Sequence, residues 1–159
     1  MATVNLPKGM GLDTEALEAG RWFELRTAPG VRVRLRPRNT REFRTTRSRI
    51  MGDMGLVGKA AEDPPPAELP DLIDMADARL YAETVLTDWD GPFRSDDGTE
   101  LAYTPERGEA FLRDPRYRRI RDEILDLAAQ EAAFMESREA ELEVDVGNGS
   151  GGSYGTERP

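Results

Sequence analysis

The chain has 159 residues, of which 38% are hydrophobic and 33% are charged, and its formal net charge is -9. A chain of this length can bury one modest hydrophobic core. It contains neither cysteine nor histidine, which excludes disulfides, thiolate nucleophiles, the usual zinc sites and the Ser-His-Asp and Cys-His catalytic arrangements. No apolar run approaches the roughly 20 residues that span a bilayer, and the N-terminus lacks the apolar region of a secretory signal. We therefore expect no membrane partner and a protein that stays in the compartment where it is made.

The first part of the chain predicts a short helical turn followed by a β-hairpin. The helical turn ends at Gly20, within a segment over residues 1–20 that we expect to be partly ordered. Two short runs, over residues 22–26 and 31–36, read as strands, and the second alternates cleanly between apolar and polar residues. A Pro-Gly pair between them suits a tight reversal. The sequence therefore predicts a hairpin over residues 21–36.

The second strand of this hairpin carries a row of arginines on one side. Residues 21–49 hold ten Arg against two Glu, whereas residues 120–145 hold nine acidic residues against two Arg. We expect a basic face that is solvated or that pairs with the acidic last helix or with a partner. The predicted basic face consists of Arg32, Arg34 and Arg36.

About four helices are predicted after the hairpin. Asn39 or Thr40 can cap the first helix, and Thr104-Pro105 provides a cap and a first-turn proline for the third. Residues 53–69 predict a loop, because the run of prolines at its centre blocks a helix. The Asp-Trp-Asp-Gly sequence over residues 88–91 is expected to end the second helix. The four helices are predicted over about 40–52, 70–87, 105–113 and 115–140.

These elements predict an α+β fold that is predominantly α-helical, with an N-terminal β-hairpin followed by about four helices. We expect a single domain over residues 21–145. The Gly/Ser-rich tail over residues 146–159 has nothing to bury and is expected to be disordered.

Acidic residues that follow the second predicted helix do not form a recognisable metal site. They are Asp88, Asp90, Asp96, Asp97 and Glu100. A calcium loop of the EF-hand kind needs a central Gly and a Glu at its twelfth position. Counted from Asp88, the twelfth position is Thr99, and Gly91 comes too early. The spacing also defines no carboxylate pair for hydrolysis. We therefore predict a solvated acidic loop, no metal, no cofactor and no catalytic site.

Two further features leave alternatives open. The arginine-rich stretch over residues 32–49 could contact nucleic acid, because Arg pairs well with phosphate. The net acidic charge and the absence of aromatic residues between the arginines of the strand favour a solvated face instead.

Trp89 stands at a helix end, before a Gly-Pro turn, and is expected to anchor the core. Contact with a partner is the alternative for this side chain.

Several short motifs follow one another over residues 13–145. An acid-x-Gly-x-aromatic sequence occurs at Glu18–Trp22, and a basic strand that leads to an Asn occurs at Val31–Asn39. The most telling motif runs from Ala82 to Gly91, an Ala-Glu helix end followed by an Asp-Trp-x-Gly turn. Tyr-Thr-Pro-Glu at residues 103–106 then begins the next helix. In this order and spacing, the chain resembles the tail assembly chaperones of long-tailed bacteriophages.

The resemblance implies a non-enzymatic protein of the host cytoplasm that binds the tape measure protein and helps to recruit tail tube subunits. We expect the contact surface to include the last helix and the region around Trp89. Such chaperones are normally absent from the finished virion, so a minor tail or connector protein is the alternative. A nucleic-acid-binding protein that uses the arginine strand is the second alternative, and self-association is left open. The motif residues with a partner-binding or structural role are Glu83, Asp88, Trp89, Gly91, Tyr103 and Pro105.

Overall fold

Six α-helices, three strands and two 3₁₀ turns make up residues 2–137, the part of the chain that the computed structural model describes. The helices are α1 (Thr14–Glu18), α2 (Arg41–Asp53), α3 (Leu56–Ala61), α4 (Leu69–Thr84), α5 (Pro105–Arg113) and α6 (Arg118–Ala129). The strands are β1 (Arg21–Glu24), β2 (Arg32–Leu35) and β3 (Leu86–Asp90), and the 3₁₀ turns are Pro115–Tyr117 and Glu131–Phe134. The predicted α+β class is confirmed, as are the short N-terminal helical turn, the hairpin and the helices over about 40–52 and 105–113.

The three strands form one antiparallel sheet in the order β1-β2-β3. Val33 of β2 lies opposite Phe23 of β1 and opposite Trp89 of β3. Val33 and Leu35 are fully buried, whereas Arg32 and Arg34 point to the other side of the strand. The predicted alternation of β2 is therefore confirmed, and its apolar face lies on the core.

The predicted helix over residues 70–87 is too long at its C-terminal end. The helix ends at Thr84, and the chain continues as strand β3, which the sequence analysis interpreted as a helix end and turn. Pairing with β2 satisfies the main-chain groups of this segment, and Leu86 and Trp89 become buried. The long-range partner therefore outweighs the local helical spacing.

The predicted loop over residues 53–69 contains a helix, α3, which makes five α-helices after the hairpin within residues 2–137. Gly55 precedes α3 in the left-handed region, with φ of 62°, a conformation that glycine adopts without steric cost. Leu56 then packs into the core and is only 4% exposed. The run of prolines lies beyond the end of the helix, so it does not prevent the helix from forming.

The predicted last helix over about 115–140 is also shorter than expected. The segment begins with a 3₁₀ turn, α6 ends at Ala129, and a second 3₁₀ turn follows. Phe134 is thereby fully buried, and its ring meets that of Phe23 edge-on with 5.5 Å between the ring centroids. Its carbonyl oxygen accepts a 2.8 Å hydrogen bond from the N–H of Asp13. Beyond Ala129 the chain leaves the helix axis and makes these contacts with the N-terminal part.

Helix α4 lies at the centre of the fold and packs against α2, α3, α5 and β3. The second half of α4 is buried, and the small and large side chains that it combines allow the neighbouring elements to pack closely against it. Among the described residues, no helix is both long and apolar enough to cross a membrane. The single domain over residues 21–145 stays a prediction, and the predicted tail over residues 146–159 lies outside the described residues.

Candidate functional site: an apolar groove between three helices

The indole of Trp89 lies at the junction of α4, β3 and α5, where the sequence motifs meet. Trp89 is 8% exposed, and its Nε1–H donates a 2.8 Å hydrogen bond to the carbonyl oxygen of Leu101. Its ring stacks on that of Phe93 with 4.0 Å between centroids, and Tyr103 meets it edge-on at 5.1 Å. These contacts account for Trp89 as the core anchor that the sequence analysis favoured.

The motif before α5 holds that helix against α4. Tyr103 donates a 2.6 Å hydrogen bond from its hydroxyl to the carbonyl oxygen of Ala82. Burial, and then the nearby charges of Glu106 and Asp88, raise the pKa of Tyr103, so its hydroxyl stays a donor. The hydroxyl of Thr104 accepts a hydrogen bond from the N–H of Arg107 at the start of α5.

The remaining motif residues also have contacts within the fold. Pro105 occupies the first turn of α5, where a proline is tolerated. Gly91 has φ of 136°, and a β-carbon there would lie 3.0 Å from the carbonyl oxygen of Gly30. Glu83 pairs with Arg49 of α2 at 2.6 Å. Trp89, Gly91, Tyr103 and Pro105 thus form a structural cluster that joins the hairpin, α4 and α5. Glu83 instead faces α2, and Asp88 is exposed on β3.

The three arginines of the predicted basic face make internal contacts. Arg32 lies over the ring of Trp22 and 3.7 Å from Asp90. Arg34 donates to the carbonyl oxygen of Gly20 at 3.1 Å. Arg36 donates to the carbonyl oxygen of Leu17 and to Glu42, at 2.7 and 2.6 Å. Their acidic partners lie on α1, α2 and β3, so among residues 2–137 these three side chains pair with other elements than the last helix.

An apolar groove open to solvent lies between α2, α3 and α4, at a distance in sequence from these motifs. It has a volume of about 330 Å³. Two large apolar side chains remain exposed along it, Val57 of α3 at 67% and Ile73 of α4 at 43%. Its other apolar lining residues are Ile50, Met51, Leu56, Ala60, Leu69, Ala76 and Leu80.

Two charged residues line the same groove. Arg47 of α2 and Asp77 of α4 are both part of its wall. Burial, and then the neighbouring charge of Asp74, raise the pKa of Asp77, and Arg121 and Arg47 oppose this shift. The groove therefore combines a predominantly apolar wall with a half-buried carboxylate, a composition typical of binding sites, in which a few polar groups fix the orientation of what binds.

The groove was not among the features predicted from the sequence. The predicted contact surface at the last helix and around Trp89, where the motifs are concentrated, stays a prediction. The apolar pair Leu56-Val57 is the feature of the sequence that could have indicated the groove. The glycines and prolines on either side of this pair led to the prediction of a loop instead. Within residues 2–137, no cluster of three or more acidic side chains is arranged to hold a metal ion.

The comparisons with known proteins place the chain among phage-derived proteins. A protein-family model described as YdaY prophage protein matches residues 39–145. Because the match covers more than half of the chain, the chain belongs to the YdaY prophage protein family. The matched region contains α2 to α6 and therefore the whole groove, and it begins directly after the hairpin. The comparisons with curated proteins and with solved structures gave no match.

Proposed function

We propose that this protein is a phage tail assembly chaperone that binds the tape measure protein in the host cytoplasm and helps to recruit tail tube subunits, without catalysis. Membership of a prophage family supports the phage setting. The order of the motifs from Glu18 to Glu106 supports the resemblance to tail chaperones. The observation that carries the proposal is the open apolar groove between α2, α3 and α4.

The groove is long enough to hold one amphipathic helix of about three turns. Its lining residues on α4 run from Leu69 to Leu80, about 17 Å along the axis at 1.5 Å per residue, or roughly three helical turns. Val57 and Ile73 would be covered by the apolar face of the bound helix, in the manner of helix-in-groove recognition. A long helical tape measure protein with apolar stripes would present such faces before assembly and would aggregate if they stayed uncovered.

The acidic character of the chain suits the same role. With a net charge of -9, the chaperone would give its complex a large charge of one sign, which opposes association of complexes with one another. Arg47 and Asp77 in the groove wall would align the partner helix by charge, since such groups contribute more to orientation than to affinity.

Co-expression of the full chain with the tape measure protein of the same phage tests the proposal. We expect the long protein to become soluble and to elute with the chaperone in size-exclusion chromatography. The variant Val57→Glu/Ile73→Glu should abolish the complex. A matched control is Val4→Glu/Leu6→Glu, because Val4 and Leu6 are also exposed apolar side chains but lie outside the groove.

The possible outcomes distinguish an incorrect function from an incorrect binding surface. If the unaltered chain neither forms the complex nor increases the solubility of the tape measure protein, the proposed function is wrong. If the complex forms but tolerates the groove variant, the function stands and the groove is not its surface. Mass spectrometry of purified particles adds an independent test, because stoichiometric presence in the virion would indicate a minor tail protein.

A further inference from the structure

A second cleft lies between the hairpin turn, β3 and α5. It has a volume of about 450 Å³ and shares no lining residue with the apolar groove. Its floor is the buried indole of Trp89, and half-buried rings form the walls. These rings belong to Phe93, Phe111 and Tyr117.

The aromatic walls are held rigid by contacts with one another. The ring of Phe111 lies edge-on to those of Trp89 and Phe93, at 5.9 and 5.4 Å between centroids, and 5.1 Å from that of Tyr117. The single indole donor is already used by the carbonyl oxygen of Leu101. The cleft therefore offers preorganised apolar surface for a large side chain, at a low entropic cost to the protein.

Two arginines that line the cleft place positive charge beside these rings. Arg94 and Arg107 line the cleft and are both exposed, and each donates to a main-chain carbonyl oxygen, that of Gly98 at 3.2 Å and that of Ala102 at 2.7 Å. These hydrogen bonds orient the two guanidinium groups. Neither group forms an ion pair with an acidic side chain among residues 2–137, so both remain available to a negatively charged ligand. Arg116 differs, because it pairs with Asp114 at 2.7 Å.

We propose that this cleft is a second docking site, which binds a short acidic peptide segment of a partner protein through one aromatic or large aliphatic anchor. The anchor would enter between Phe93, Phe111 and Tyr117. One or two carboxylates next to it would bind the guanidinium groups of Arg94 and Arg107 through charge-assisted hydrogen bonds. Trp, Tyr and Arg are also the residue types that dominate binding energy at protein interfaces.

The charges around the cleft favour a peptide over a nucleic acid. Asp114 lines the cleft. After burial, the nearby carboxylates of Glu106 and Asp88 raise the pKa of Tyr103, whose ring meets that of Trp89 edge-on. An extended polyphosphate would meet these carboxylates after its first contacts with Arg94 and Arg107. A segment with one or two carboxylates beside an apolar anchor satisfies the two guanidinium groups without extending into the negative surroundings.

A randomised dodecapeptide library, selected on the immobilised full chain, tests the proposal. We expect the selected peptides to be enriched in an aromatic or large aliphatic residue next to Asp or Glu. Their affinity for the variant Arg94→Glu/Arg107→Glu should fall by about tenfold or more, the size expected for losing hydrogen bonds between charged groups. A second variant, Ala110→Glu, places a carboxylate in the cleft from the exposed side of α5 without removing any hydrogen bond, and should weaken binding similarly.

The control Arg41→Glu/Arg44→Glu makes the same change of charge on α2, outside this cleft, and should leave the affinity unaltered. The groove variant Val57→Glu/Ile73→Glu should also leave it unaltered, because the two sites are separate. Selection of peptides without an acidic residue beside the anchor would overturn the proposal, as would binding that tolerates both cleft variants. Tighter binding of an oligothymidylate of about 15 nucleotides than of the selected peptides would instead identify a nucleic-acid site.

Discussion

The ring of Tyr103 lies directly over the Cα of Gly108, one turn inside α5. A β-carbon on residue 108 would lie 2.6 Å from Cε2 of Tyr103 and 2.7 Å from its hydroxyl oxygen. The ring cannot move aside freely, because its hydroxyl is bonded to the carbonyl oxygen of Ala82 in α4. Gly108 is thus required for the close approach of α5 to α4, which have the most extensive contacts of any two elements in residues 2–137.

We predict that Gly108→Ala lowers the free energy of unfolding, although alanine is the better helix former. Overpacking against Tyr103 should cost about 2 kcal/mol, which exceeds the gain in helix propensity of about 1 kcal/mol. Gly52→Ala is the matched control, since Gly52 lies in α2 with no atom within 4 Å of an added β-carbon. Urea unfolding followed by circular dichroism measures both variants. Equal effects of the two substitutions would contradict the steric argument.

The hairpin is joined to α6 by the carboxylate of Glu123. It accepts hydrogen bonds from the N–H of Arg26 at 2.8 Å and from the N–H and hydroxyl of Thr27 at 2.9 and 2.6 Å. Burial raises the pKa of Glu123, but the hydrogen bonds from Thr27 and Arg26 outweigh it, so the pKa lies below its ordinary value. The carboxylate form is therefore the one that the folded protein stabilises.

This arrangement predicts a stabilisation that is lost in acid. Because the folded pKa of Glu123 is lowered, its contribution is complete above the ordinary value of 4.5 and disappears as the pH falls through the folded pKa. Glu123→Gln should lower the free energy of unfolding by about 0.5–1 kcal/mol at neutral pH, a figure reduced for solvent screening. The difference should vanish in acid. Asp126→Asn on the same helix is the control, and a pH-independent difference for Glu123→Gln would contradict the assignment.

Local signals were sufficient for the parts of the fold that depend on neighbouring residues. Thr40 and Thr104 accept the hydrogen bonds of helix N-caps, and the helices begin where these side chains predict. The alternation of apolar and polar residues in β2 likewise indicated which face of the strand is buried, because this pattern also depends only on neighbouring residues. Strand β3 and helix α3 were missed because each depends on a distant partner, the main chain of β2 for the strand and the core around Leu56 for the helix.

The candidate site was less predictable than the fold. The Ala82–Gly91 motif stands out in the sequence because turns and caps use recognisable residue types, and in the structure its residues mostly stabilise the junction of α4, β3 and α5. The groove depends on how three helices pack, so exposed residues such as Val57 and Ile73 are indistinguishable in sequence from core residues. Only the packing shows that these two side chains stay uncovered.

Asp77 in the groove wall is predicted to lower the stability of the protein at neutral pH. Its folded pKa is raised above the ordinary value of 3.8, first by burial and then by Asp74. The folded state therefore holds the proton more tightly, and stability decreases as the pH rises through the folded pKa. Asp77→Asn should raise the free energy of unfolding by about 0.5 kcal/mol at neutral pH, and the gain should vanish below pH 3.8. Thermal unfolding measured as a function of pH gives the change in stability, and Asp71→Asn, at an exposed position of the same helix, is the control. Unchanged or reduced stability of Asp77→Asn at neutral pH would contradict the prediction.

Arg32 of β2 and Arg36, which follows that strand, should differ sharply in how much their replacement by lysine lowers the stability, although lysine keeps the positive charge. Arg36 is largely buried, with its side chain 16% exposed, and its guanidinium joins Leu17 of α1 to Glu42 of α2. A lysine cannot reproduce this fork of donors, so Arg36→Lys should lower the free energy of unfolding by about 1–2 kcal/mol. Arg32 forms an exposed pair at 3.7 Å, and Arg32→Lys should change stability by less than about 0.5 kcal/mol.

Chemical denaturation of the two lysine variants measures this difference, and retention on a DNA column at low salt gives a second readout. If the row of arginines served mainly to attract phosphate, both variants would keep their stability, and the unaltered chain would bind DNA with a strong salt dependence. Loss of stability in Arg36→Lys alone, without DNA retention, would identify Arg36 as a structural residue that joins α1 to α2.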